Sequence, residues 1–158
     1  MDITNTIIGI IFFSLIIIPI FIINNNVRKR KNQLLNTLNE LSSDKNAKFS
    51  ETDFWSNNSG IGLKGKMLAY FRKVEETQDN EVVDLNEVKK CSLIQFDRHG
   101  NVPKNNHEIN KLALHLSLNN HKEIHLVFFH ADAKNFIIGE EFRIAKKWYD
   151  IINKEIMN

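Results

Sequence analysis

The chain has 158 residues, with 21 Lys+Arg against 19 Asp+Glu, six His, one Cys and 42% hydrophobic residues. That length allows one domain plus its ends, at ~100–200 residues per domain, and a single cysteine excludes a disulfide scaffold. Taking the four bases Arg28, Lys29, Arg30 and Lys31 from 21 and the acid Asp2 from 19 leaves 17 bases against 18 acids for residues 32–158. A near-neutral remainder lacks the basic footprint that nucleic-acid phosphates demand, so nucleic acid is excluded as a partner.

The first element is apolar. Residues 3–23, ITNTIIGIIFFSLIIIPIFII, carry no charge, and only Thr4, Asn5, Thr6 and Ser14 have polar side chains. About 20 such residues in a helix cover the ~30 Å hydrocarbon core of a bilayer, which predicts a transmembrane helix over 3–23. Pro19 is compatible with that reading, because transmembrane helices tolerate proline. A cleaved signal peptide places its bases before the apolar run. Here the order is reversed, with Asp2 in front and Arg28, Lys29, Arg30 and Lys31 behind. The positive-inside rule then puts the amino terminus outside and the rest of the chain in the cytoplasm, at the cell membrane. The same four bases are the expected contacts with the membrane surface, at ~1 kcal/mol each against anionic headgroups.

Residues 24–46 read as a juxtamembrane connector. Val27, Leu34 and Leu41 are seven apart and Leu38 lies between the last two, which predicts a short amphipathic helix resting its leucines on the domain or the bilayer. Two heptads are too few for a coiled coil. Ser42–Lys48 is a polar break.

From residue 47 to 158 the pattern turns to alternation punctuated by turn residues, the texture of antiparallel strands. Strands are predicted at 61–63, 67–73, 82–85 and 88–96. Residues 109–118 and the strand around Ile124, Leu126 and Phe128 make the strongest hairpin, turning at Asn119–Lys122. The last element is a helix over 139–156. One half of its wheel holds Phe142, Ile144, Ala145, Trp148, Tyr149, Ile151, Ile152 and Ile156, so that half docks on a sheet.

The fold class is therefore α+β: a transmembrane helix, then an antiparallel β-rich module closed by a carboxyl-terminal helix. On its element order, with VVDLNEVKKC at 82–91 and GEEFRIAKKWYDIIN at 139–153, the chain resembles uncharacterised bacterial single-pass membrane proteins with a cytosolic pleckstrin-homology-like domain. The resemblance implies a barrel plugged by its last helix, and a binding or scaffold role by fold analogy. It brings no catalytic residues.

Four groups of residues invite a site reading. Gly60–Gly65 has the spacing of a phosphate loop, but that chemistry needs a strand–loop–helix unit, and this chain lacks the βαβ pattern. Lys64, Lys66 and Arg72 resemble the basic patch by which some pleckstrin-homology domains hold phosphorylated headgroups, against an ordinary solvated turn. His115 and His125 fall on the two strands of the strong hairpin, with His130 further along, and read as exposed strand histidines rather than metal ligands. Cys91 reads as a small buried hydrophobe. No nucleophile with a base and no paired carboxylates appear, so neither catalytic, cofactor nor metal residues are assigned. The expected function is a membrane-anchored binding or scaffold module, not an enzyme, with the lipid bilayer and an unidentified protein as partners. The alternative is a structural subunit of a membrane complex, associating through its span and the Leu34, Leu38 and Leu41 face.

Overall fold

The computed structural model describes residues 17–18, 28–29, 31–41, 48–56, 58–74, 76–103, 108–131 and 138–157. The chain divides into two units, Met1–Asn36 and Thr37–Asn158. In the first, Ile17 and Ile18 are helical and about half exposed. The expected span at 3–23 otherwise lies outside the described residues, and among those residues no helix is long and apolar enough to cross a membrane. Arg28, Lys29 and Lys31 are helical and exposed, while Arg30 lies outside the described residues. Helix α1 covers 31–41.

The second unit is α+β, as expected from the alternating pattern. Its strands are β1 (Glu51–Trp55), β2 (Ser59–Lys64), β3 (Met67–Val74), β4 (Thr77–Asp84), β5 (Val88–Phe96), β6 (Lys111–Leu118) and β7 (Glu123–His130), and helix α2 (Glu140–Met157) closes the chain. They form two antiparallel sheets, β1-β2-β3-β4 and β5-β6-β7, in sequence order. Sequence alternation finds β2, β3, β5, β6 and β7, with β5 at its observed bounds. It misses β1, and finds only the last residues of β4.

Both omissions have one cause. Strands β1 and β4 are the two edges of their sheet, and edge strands carry polar residues that protect unpaired backbone from stray pairing. Glu51, Thr52 and Asp53 on β1 and Gln78, Asp79 and Asn80 on β4 leave little apolar alternation to read. Their ladders to β2 and β3, Glu51↔Leu63 through Trp55↔Ser59 and Met67↔Asp84 through Val74↔Thr77, define them instead.

The glycines of Gly60–Gly65 serve packing and turning. Ile61 and Leu63 face the core from β2, so Gly60 and Gly62 face the other way. There the Phe54 and Phe71 rings lie over Gly60, and Phe49 with Leu38 lies over Gly62. A Cβ at Gly60 would stand 2.6 Å from both Phe54 and Phe71, which is why this strand carries no side chain at that position. Gly65, with φ of 60°, starts the two-residue turn that pairs Lys64 with Met67, a position that needs left-handed backbone. Leu38 is fully buried, so within this unit the end of α1 belongs to a second apolar layer on the outer side of β2.

The main core lies between the sheets and under α2. Leu112, Leu114, Leu116, Leu126, Phe128, Ile144, Trp148 and Ile152 are all at most 1% exposed. Strand β7 carries an extra residue at its bulge, where Leu112 pairs with Phe129 and Ala113 with Val127. The bulge turns both Phe128 and Phe129 into buried positions, where strict alternation allows one. Two side chains of the four-stranded sheet reach this irregular stretch: Trp55 Nε1 donates to the Phe128 carbonyl at 2.9 Å, and Tyr70 Oη to the Val127 carbonyl at 2.7 Å. The Trp55 ring also stacks on Phe128, centroids 4.7 Å apart. The Asp-Leu-Asn-Glu-Val segment is a single 3-10 turn over Leu85–Glu87, opened by Asp84, whose carboxylate accepts from the Asn86 amide at 2.9 Å.

Helix α2 packs mainly on β5, and also on β6, β7 and β1. Polar contacts fix it along its length. Near its start Glu141 accepts from the Gly139 amide at 2.8 Å and from the Ser56 hydroxyl at 2.7 Å. In the middle Asp53 Oδ2 accepts from Trp148 Nε1 at 2.9 Å and from Lys147 Nζ at 2.7 Å. Near its end Glu155 pairs with Lys66 at 3.1 Å. The docked half is the one the wheel predicts, with Ile144, Ala145, Trp148 and Ile152 buried and Arg143, Lys146, Asp150 and Lys154 exposed.

Candidate functional site

The hairpin β6–β7 brings together the most chemically distinctive group of side chains among the described residues. Its register pairs His115 with His125 and Ser117 with Glu123. Leu114, Leu116, Ile124 and Leu126 point inward, so His115, His125 and Glu123 share the outer face. The two imidazoles stack, centroids 4.7 Å apart and planes 25° from parallel. One ligand-capable atom from each of the three residues lies within 4.8 Å of the other two.

Their environments differ. His125 and Glu123 are exposed, whereas His115 is half-buried between its neighbours. His115 Nε2 is sealed from solvent and has no hydrogen-bond partner. It lies 3.4 Å from Glu123 Oε2, close enough for attraction if the ring is charged, but without hydrogen-bond geometry. An unsatisfied buried polar atom costs about 1–3 kcal/mol, so this nitrogen is a feature that packing alone does not explain.

The sequence identifies His115 and His125 as neighbours on one hairpin. Glu123 escapes it, although the period of two that places His125 on the outer face also places Glu123 there. His130 is exposed at the far end of β7, paired with Lys111, and is not part of the group.

The other sequence candidates fall in different places. Lys64 precedes the β2–β3 turn and Lys66 is its second residue, while Arg72 pairs with Ser59 at the opposite end of the same hairpin. Six residues of strand at ~3.3 Å each separate them by about 20 Å, so the three bases form no single patch. Lys64 is buried, its ammonium 5.7 Å from the Phe49 ring, and Lys66 is engaged by Glu155. Arg72 instead borders a cleft of about 140 Å³ with Lys73, Ser56, Ser59 and His130. Cys91 faces the core from β5, and burial pushes its thiol up from 9.0 to about 12, which suppresses the reactive thiolate. Burial likewise drives the Tyr70 phenol well above its usual range. The Asp53 hydrogen bond raises Lys147, holding the ammonium charged against the carboxylate.

Comparison of the chain with protein families, with curated proteins and with solved structures finds no match.

Proposed function

We propose that this protein is a membrane-tethered binding or scaffold module, with its β-rich unit of the pleckstrin-homology-like type held at the cytoplasmic face of the cell membrane and no catalysis of its own. The observation that carries the reading is a combination. An uncharged apolar run at 3–23, closed by Arg28, Lys29, Arg30 and Lys31, precedes a four-stranded and a three-stranded antiparallel sheet joined in sequence order and covered by one final helix. Antiparallel strands followed by one terminal helix match the element order that the resemblance to pleckstrin-homology-like modules implies, and the run with its trailing bases fits a single-pass anchor. The bilayer is then the first partner, with a protein as the second.

The alternative, a subunit of a membrane complex that associates through its span and the Leu34, Leu38 and Leu41 face, loses one contact of that face, because Leu38 is fully buried and not available to a partner helix.

Liposome flotation tests the proposal. The full chain is expected to float with vesicles containing anionic lipid, and a chain lacking residues 1–31 to stay at the bottom of the gradient. Replacing Arg28, Lys29, Arg30 and Lys31 with Gln should reduce the preference for anionic over neutral vesicles. Equal flotation of the full and shortened chains would refute the tether.

A further inference from the structure

We propose that His115, His125 and Glu123 form a binding site for a late first-row divalent metal ion such as Zn²⁺, on the outer face of the β6–β7 hairpin. Three independent features converge on this. First, the donor set is right: two imidazoles and one carboxylate suit Zn²⁺ and its neighbours, and three protein ligands leave a coordination position for water or an outside donor.

Second, the three side chains are mounted on a rigid frame. His115 and His125 face each other directly across an antiparallel ladder that runs from Lys111↔His130 to Ser117↔Glu123, and Glu123 is two residues from His125 on the same face. Their ligand-capable atoms already lie within 4.8 Å of one another. Bonds of about 2.0–2.2 Å put tetrahedral ligands about 3.4 Å apart. Closure therefore needs shifts of about 1 Å and a turn of the His125 ring out of its stack on His115, because an ion lies in the plane of each imidazole; the exposed side chains of Glu123 and His125 have room to make both by rotamer changes.

Third, the half-buried ring holds a nitrogen with no other task. His115 Nε2 is shielded from solvent, unpaired, and 3.4 Å from a Glu123 carboxylate oxygen. A cation held between that nitrogen and that oxygen would satisfy both.

The site owes nothing to the membrane-tether proposal, since the hairpin sits wholly within the β-rich unit. Binding would strap the two strands together and present an open metal position to whatever approaches this face.

The test uses the tag-free, chelator-treated full-length chain, titrated with Co²⁺ and then with Zn²⁺. The expected result is one equivalent of Co²⁺ with the intense visible bands of a four-coordinate ion, bleached by one equivalent of Zn²⁺. Removing an outer-shell partner of a metal ligand already costs 10–100-fold, so H115A and H125A are each expected to weaken Zn²⁺ binding by more than about tenfold, and E123Q to weaken it measurably. H130A should bind as wild type. Because His125 is exposed, H125A retains the fold and carries the test if H115A does not fold. Absence of Co²⁺ uptake by the wild-type chain, or uptake unchanged in H125A, would overturn the proposal.

Discussion

Replacing Asp53 with Ala removes the carboxylate that seats helix α2 at its midpoint. Asp53 Oδ2 is the shared acceptor of Trp148 Nε1 at 2.9 Å and Lys147 Nζ at 2.7 Å, and Trp148 is fully buried. Without the carboxylate, an indole N–H is left in the interior with no acceptor. A hydrogen bond to a charged group contributes about 1.5–3 kcal/mol, and an orphaned buried donor costs about 1–3 kcal/mol, the two figures overlapping. The Lys147 side chain is 37% exposed, so after solvent screening its ion pair adds at most ~1 kcal/mol. The expected loss is therefore about 2–4 kcal/mol. With a urea m-value of ~1–3 kcal/mol/M, a loss of about 3 kcal/mol lowers the midpoint by about 1–3 M. Both tryptophans, Trp55 and Trp148, belong to the β-rich unit, so intrinsic fluorescence follows its unfolding directly. Lys147→Met, which removes only the screened pairs to Asp53 and Glu51 and leaves the indole its acceptor, is the control and should cost less than ~1 kcal/mol. The reasoning fails if Asp53→Ala lies within ~0.5 kcal/mol of wild type, or if Lys147→Met is equally damaging.

Three further outcomes follow from the packing and the titrations. Gly60→Ala drives a methyl against the Phe54 and Phe71 rings and is expected to destabilise by about 1–3 kcal/mol in the same urea assay; a neutral result would show that the rings move aside freely. Leu38→Ala empties a fully buried position beside Phe49 and Gly62 and should cost about 2–5 kcal/mol, whereas an unchanged midpoint would mean that the end of α1 is not part of this unit's core. Cys91, Tyr70 and Lys147 all have folded-state pKa values above their unfolded ones. Their protonated forms are favoured by folding, so stability is fully present below pH 9.0 and falls as pH rises, first through Cys91, then above 10.0 through Tyr70 and above 10.5 through Lys147. The loss is ~1.4 kcal/mol per pH unit for each of the buried Cys91 and Tyr70 protons and much less for the solvent-screened Lys147, and Cys91→Ala should delay its onset toward pH 10, as read by thermal melts across the alkaline range.

How far the sequence reveals this architecture depends on where each strand lies. Strand β6 buries Leu112, Leu114, Leu116 and Leu118 on one face and leaves Lys111, His115 and Ser117 half-buried on the other, and helix α2 buries one face and exposes the other, so their periodicity is strong and their bounds are nearly right. Strands β1 and β4 are edges whose pairing depends on β2 and β3, and nothing local in Glu51–Trp55 or Thr77–Asp84 records it. Gly60 and Gly62 look like a phosphate loop because spacing alone does not distinguish glycines that free a backbone for a ligand from glycines that admit an aromatic ring. The histidine pair follows from the hairpin register, and Glu123 was equally within reach of the same period of two. Hidden from any local pattern were Asp53 and Glu141, whose partners Trp148 and Ser56 lie 95 and 85 residues away along the chain.

The claim that the β-rich unit works from a cytoplasmic tether is tested most directly by protease protection of the full chain in sealed vesicles of known orientation. In right-side-out vesicles the fragment containing Trp55 and Trp148 is expected to resist added protease until detergent opens the membrane, and to stay with the membrane pellet through alkaline carbonate extraction. Digestion of that fragment in intact right-side-out vesicles, or its release into the soluble fraction by carbonate, would contradict the account.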